Sequence, residues 1–85
     1  AFKVSLGVMP DYAFGGTGLR IDAVLDDRPG AKAGLEAGDV VVELGGAPVK
    51  DVYSYMEALS GFKRGDQAEI VVKRGEEEVR RQVEF

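Results

Sequence analysis

Pro29-Gly30-Ala31-Lys32-Ala33-Gly34-Leu35-Glu36-Ala37-Gly38-Asp39, running directly into Val40-Val41-Val42-Glu43-Leu44-Gly45-Gly46, is the stretch that decides the fold of this chain. It spells a short helix, a glycine-governed turn, an apolar strand and a second turn. Pro29 fixes φ near a helical value and has no N–H to leave unpaired, so it suits the first turn of a helix. Ala31, Ala33 and Leu35 extend that helix for barely two turns. Gly34 is read as a point where two backbones approach closely, Gly38 as the residue with φ > 0 beyond the helix end, and Asp39 as a side chain that bonds locally in the turn.

Working outward toward the N-terminus, Phe2, Val4, Leu6 and Val8 alternate with Lys3, Ser5, Gly7 and Met9, the period of a half-buried first strand. The glycine-dense run from Tyr12 to Gly18 breaks the alternation and predicts a loop carrying two aromatic residues. Leu19, Ile21, Ala23 and Leu25 predict a second strand. On the C-terminal side, Gly45-Gly46-Ala47-Pro48 reads as a turn. Asp51 is placed to cap a helix whose apolar face is Val52, Tyr55, Met56, Leu59 and Phe62, with Gly61 as its stop. Ala68, Ile70 and Val72 then mark a strand, Arg74-Gly75-Glu76-Glu77 a hairpin turn, and Val79, Val83 and Phe85 the inward positions of a last strand. Two helices cannot cover both faces and both ends of five short strands. The expected fold is therefore α+β: a partly closed barrel of five or six antiparallel strands capped by one long and one short helix.

Composition narrows the function. Eighty-five residues with 45% hydrophobic and 31% charged content suit one folding unit with a single core. A net charge of −4, with eleven scattered basic residues, argues against nucleic acid, which needs Lys and Arg clustered on one face. No apolar run approaches 18 residues and no leader pattern precedes the first strand, so direct membrane insertion is not expected; a leader upstream of Ala1 stays open. The chain has no histidine and no cysteine, which removes Ser-His and Cys-His nucleophile pairs and N/S zinc sites. No cofactor, metal or catalytic residue is expected, and composition leaves the compartment unknown.

The residues from Ala33-Gly34-Leu35 to Gly38-Asp39, with this order of elements, resemble the PDZ domains, in the circularly permuted form that bacteria attach to proteases. Ser5-Leu6-Gly7-Val8 followed by Met9-Pro10-Asp11-Tyr12 is most similar to the domain carried by bacterial zinc aminopeptidases; serine proteases of the high-temperature-requirement class carry related ones. The resemblance covers nearly all of the chain. It implies one domain excised from a larger peptidase in which hydrolysis happens elsewhere, and an extracytoplasmic setting. It also implies a groove. The N–H groups of Leu6, Gly7 and Val8 would hold a C-terminal carboxylate, with Gly7 allowing the convergent backbone that a Cβ would obstruct. The edge running from Val8 toward Asp11, Met9 included, would accept a peptide strand by β-augmentation, and Val52, Met56 and Leu59 would form the opposite wall. Tyr53 and Tyr55 are open between groove mouth and core. Partners implied are a peptide or protein C-terminus, or the parent protease domain.

Pro10 departs from that pattern, because proline has no N–H to give an augmenting strand. Its presence predicts weak peptide binding and raises the alternative of a structural or regulatory domain that packs on its parent and binds no free peptide. Other motifs dissolve. Gly16-Thr17-Gly18 lacks the third glycine of a dinucleotide loop and precedes a strand. Arg64-Gly65-Asp66 is explained as a helix-to-strand turn, Asp26-Asp27 as a solvated loop and Glu76-Glu77-Glu78 as a hairpin tip, and the serines have no histidine partner.

Overall fold

A computed structural model describes residues 4–85, so Phe2 and Lys3, at the start of the expected first strand, lie outside the described residues. The elements run β1 (Val8–Pro10), β2 (Leu19–Val24), α1 (Pro29–Lys32), β3 (Val40–Leu44), β4 (Ala47–Pro48), α2 (Val52–Leu59), β5 (Gln67–Arg74) and β6 (Glu77–Glu84). All strand pairs are antiparallel, in the path β1-β2-β3-β5-β6, with the two-residue β4 paired to β3 where a plain turn was expected. The α+β class and the order of elements are those expected. The sheet, however, remains an open path with β1 and β6 at its ends and does not close into a barrel.

Among the described residues of the expected first alternation, Val8 and Met9 are strand, in β1, which continues to Pro10. Gly7 stands at φ +71°, a left-handed conformation that ends an extended run, and Val4 to Gly7 form no regular element. The period still predicted burial correctly at Leu6, which is fully enclosed. Helix α1 is one turn rather than two, because Gly34 takes φ +85°. A Cβ at Gly34 would meet only Arg81 Nε, at 3.5 Å, so conformation and not close approach requires glycine there. The close approach falls instead at Gly30.

Asp51 caps α2 as expected and does so reciprocally: its carboxylate accepts the Ser54 N–H at 2.9 Å, and Ser54 Oγ accepts the Asp51 N–H at 3.1 Å. The Ser54 N–H first, and then the Ser54 hydroxyl donating to Asp51 Oδ1, hold the Asp51 carboxyl below its ordinary pKa. The helix ends at Leu59, three residues short of the expected Phe62, which instead stacks on Phe85 with ring centres 5.2 Å apart. Gly61 does not take a left-handed φ; the end is closed by the Ser60 N–H donating to the Met56 carbonyl at 3.1 Å. Eight residues are too few for a stable helix in isolation. Burial of Tyr55 and Leu59 in the hydrophobic core supplies what propensity cannot, about 1.5–3 kcal/mol for Leu59 alone.

Asp39 is 1% exposed and carries more than the local bond expected of it. Its carboxylate accepts the Glu36 N–H at 2.9 Å and a bidentate pair from Arg74, Nε at 2.9 Å and Nη2 at 2.8 Å. Arg74 also donates to the Gly34 carbonyl at 3.0 Å. One guanidinium at the end of β5 thus ties down the turn between α1 and β3. Burial alone would raise the Asp39 pKa, but the Arg74 and Glu36 hydrogen bonds and the charges of Arg74 and Arg81 outweigh it, and the carboxyl lies below 3.8.

Candidate functional site

Strand β1 has one paired edge and one free edge, and the register fixes which groups face each. Val8 pairs with Val24 while the Leu25 N–H donates to the Gly7 carbonyl at 2.9 Å, the signature of a non-hydrogen-bonded pair. The backbone N–H and C=O of Val8 therefore point away from β2. Beyond the bulge between Met9 and Pro10, Pro10 pairs with Ile21 and the Asp11 N–H donates to the Arg20 carbonyl at 2.8 Å, so Pro10 has the same outward sense as Val8. The missing donor of Pro10 is thus on the free edge, where its absence costs the β1–β2 pairing nothing.

Along that edge the loop before β1 presents further donors. Leu6 has φ below zero and Gly7 φ +71°, the change of sign that turns successive N–H groups toward a common point. The N–H groups of Leu6 and Val8 have no partner among the described residues, while that of Gly7 donates to Ser5 Oγ at 3.0 Å. Behind the loop, the Gly30 N–H donates to the Leu6 carbonyl at 2.8 Å, and a Cβ on Gly30 would lie 2.9 Å from that oxygen. On its other flank, a Cβ on Gly7 would overlap Cβ and Cγ of Arg28. The loop is clamped between the start of α1 and its own strand.

A cavity of about 200 Å³ opens between this edge and α2. Val4, Ser5, Val8 and Pro10 line one side; Val52, Tyr55, Met56 and Leu59 line the other, with Tyr12 at the rim. The structure brings together six of the seven residues singled out from sequence, Leu6 and Gly7 through their backbone beside the cavity and Val8, Val52, Met56 and Leu59 as lining. Met9 is not among the lining residues: in a strand its side chain points opposite to those of Val8 and Pro10, and it is 52% exposed. The tyrosines separate. Tyr55 is buried and belongs to both core and cavity wall, whereas Tyr53 is 78% exposed and touches neither. Burial pushes the Tyr55 phenol up, with Tyr12 adding to the shift, so this wall stays neutral at ordinary pH. Val4 and Tyr12 had no sequence signal as lining residues, since only the turn of the chain at Gly7 and the Asp11–Arg20 ion pair at 2.9 Å bring their segments to the mouth.

Among the described residues no group of three or more acidic, His or Cys side chains is placed to hold a metal, and no helix is long and apolar enough to cross a membrane. A second, larger cleft of about 430 Å³ lies between α1 and β6, edged by Lys32, Gln82 and Glu84. The smaller cavity is the candidate because an apolar recess and unpartnered backbone donors meet there.

The fold is an antiparallel sheet with two helices, in which a glycine-turned loop with unpartnered backbone N–H groups lies beside an apolar recess and a helix. Residues 4–85 match the PDZ domain family model, and the chain belongs to that family. Its relatives are proteases: it is 36% identical over 70 residues to a putative serine protease HhoB of a Synechocystis species, covering 82% of this chain and 17% of that protein. It is 37% identical over 57 residues to a probable periplasmic serine endoprotease DegP-like of Ectopseudomonas mendocina, covering 67% of this chain and 12% of that one. Among solved structures, it superposes on an aminopeptidase N family protein from Idiomarina loihiensis with TM-score 0.88, at 23% identity, over 98% of this chain and 14% of that chain. It superposes on the HtrA-type protease AlgW with a decapeptide with TM-score 0.85, at 26% identity, over 98% of this chain and 29% of that chain. The chain thus spans less than a fifth of the curated relatives described.

Proposed function

We propose that this domain holds the C-terminal end of a peptide or extended protein segment between β1 and α2, as the non-catalytic accessory domain of a larger protease. The observation that carries the reading is the coincidence, at one edge, of unpartnered N–H groups on Leu6 and Val8 with an apolar cavity walled by Val52, Met56 and Leu59. The N–H groups suit a carboxylate, the free edge of β1 suits a strand, and the recess suits one apolar side chain. The small share of the protease relatives that the chain spans supports an accessory role, and the decapeptide carried by the AlgW structure supports a peptide as ligand. The periplasmic description of the DegP-like relative supports an extracytoplasmic setting.

Pro10 sets the strength. With its donor missing, a paired ligand loses one hydrogen bond, about 1 kcal/mol or roughly fivefold in affinity, and binding is expected on the order of tens of micromolar. The same proline favours a second reading, in which the domain packs on its parent protease and takes no free peptide. NMR titration of the domain with acetylated hexapeptides ending in Val, Ala, Leu or Phe decides between them. Shifts at Leu6, Gly7, Val8 and Met56 with a free carboxyl are expected; their absence up to millimolar peptide overturns the recognition reading, and a submicromolar dissociation constant overturns the role given to Pro10.

A further inference from the structure

The middle donor of the loop is already occupied. Ser5 Oγ accepts the Gly7 N–H at 3.0 Å, so the oxygen of a neutral side chain takes one of the three backbone donors offered to a ligand carboxylate. Ser5 is exposed and lines the cavity. A hydroxyl both accepts and donates; here the accepting side is committed to Gly7, and its own proton has no acceptor among the described residues. An arriving carboxylate therefore meets two free N–H groups, on Leu6 and Val8, with a hydroxyl between them. It has two options. It displaces Ser5 Oγ from Gly7, or it leaves that bond in place and accepts the Ser5 proton.

Displacement gives the carboxylate the Gly7 N–H as its third donor but breaks the bond from that N–H to Ser5 Oγ. Retention also gives it three donors, with the Ser5 O–H in place of the Gly7 N–H, and keeps that bond, so it ends with one hydrogen bond more. In the chain from Gly7 N–H through Ser5 Oγ–H to the carboxylate, the first bond withdraws charge from the oxygen and strengthens the second. A hydroxyl donating to an ionised acceptor is also among the stronger hydrogen bonds. We infer that Ser5 is a recognition residue of this groove: its hydroxyl, held in place by the Gly7 N–H, donates to the ligand's terminal carboxylate as a third donor beside Leu6 and Val8. The inference rests on the peptide-binding reading above and adds to it a side-chain determinant for a free C-terminus.

The test is a titration of the 85-residue domain and its Ser5→Ala and Ser5→Thr variants with acetylated hexapeptides ending in Val or Leu, each as free acid and as C-terminal amide. Ser5→Ala is expected to bind the free acids roughly tenfold more weakly and to narrow the preference for acid over amide, while Ser5→Thr, which keeps the hydroxyl, restores both. An unchanged or tighter affinity in Ser5→Ala, with the wild-type domain binding, overturns the role of Ser5 alone and marks its oxygen as a spectator or competitor. No binding by the wild-type domain to any of the peptides overturns the groove reading and, with it, this one. Amide spectra of the variants establish that the fold is intact, which the exposed position of Ser5 favours.

Discussion

Gly30 donates its N–H to the carbonyl of Leu6 at 2.8 Å, and the direction in which a side chain would leave Gly30 is filled by that same oxygen and by Val8 Cγ1, 2.9 and 3.1 Å from where a Cβ would be. The helix turn that marks the fold in the sequence is therefore also the backing of the candidate donor loop. Leu6 gives its carbonyl to α1 while its N–H has no partner among the described residues, so the position of that N–H depends on how closely α1 can sit.

Gly30→Ala tests this dependence. A methyl group placed that close to a backbone oxygen forces the loop or α1 to move, with an expected loss of about 1–3 kcal/mol in urea unfolding. Peptide titration of the folded fraction should show weaker binding as well, since Leu6 and Val8 move with the loop. Wild-type stability in the variant would mean that the loop yields without cost and that Gly30 does not set its position.

Pro10→Ala restores an N–H on the free edge of β1. Affinity for free-acid peptides should rise about fivefold, seen as a lower dissociation constant with shifts extending to residue 10. The same variant exposes an edge that proline shields against unwanted strand pairing, so it should also self-associate more readily in sedimentation at high concentration. An affinity equal to that of the wild type would show that the ligand strand does not pair as far as Pro10.

Asp39→Asn removes the charge that fixes Arg74 over the α1–β3 turn. Breaking an ion pair with one fully enclosed partner is expected to cost about 2–4 kcal/mol in chemical denaturation, discounted because Arg74 remains partly open to solvent. The pH dependence has a definite sign. Because the folded pKa lies below 3.8, the unfolded chain takes up the proton first as pH falls. The contribution of Asp39 is fully present above that value and is lost as pH drops toward the folded pKa. Melting temperatures should therefore hold near neutral pH and fall below about pH 4, with a shallower fall in Asp39→Asn; Asp51, lowered in the same direction, keeps it from vanishing.

Asp51→Ala removes the reciprocal cap of α2. A loss of about 1 kcal/mol is expected from thermal or urea unfolding. Hydrogen exchange should quicken first at Ser54 and Tyr55, whose N–H groups bond to Asp51 through its side chain and its carbonyl. Because Val52 opens both the helix and the cavity wall, fraying there should weaken peptide binding more than it weakens the fold.

Much of this was legible in the chain. Pro29, Gly38 and Asp39 gave the turn; the alternation at Leu19 to Leu25 and Ala68 to Val72 gave the strands; Asp51 gave the start of α2. Where the reading strayed, a competing local effect was responsible. Among the described residues, Val4 to Gly7 of the first alternation are not strand, and Gly7 takes φ +71° there. Helix α2 stops at Leu59, and Phe62 stacks on Phe85, a residue with no signal of proximity in the linear order. Met9 was placed on the strand edge beside Val8, and the two-residue period of the strand turns its side chain away from the cavity.

By itself the sequence determined the family, the class of fold and the residue types at the groove, because spacing, turn chemistry and the missing N–H of Pro10 are properties of local covalent structure. Only the tertiary structure decided what those residues face. Register places Pro10 on the free edge, packing sets Gly30 against Leu6, a distant arginine neutralises Asp39, and a turn at Gly7 brings the Ser5 oxygen onto the Gly7 N–H. These relations join elements remote in the chain or depend on its exact path, and burial and pairing energies, rather than local preference, fix them.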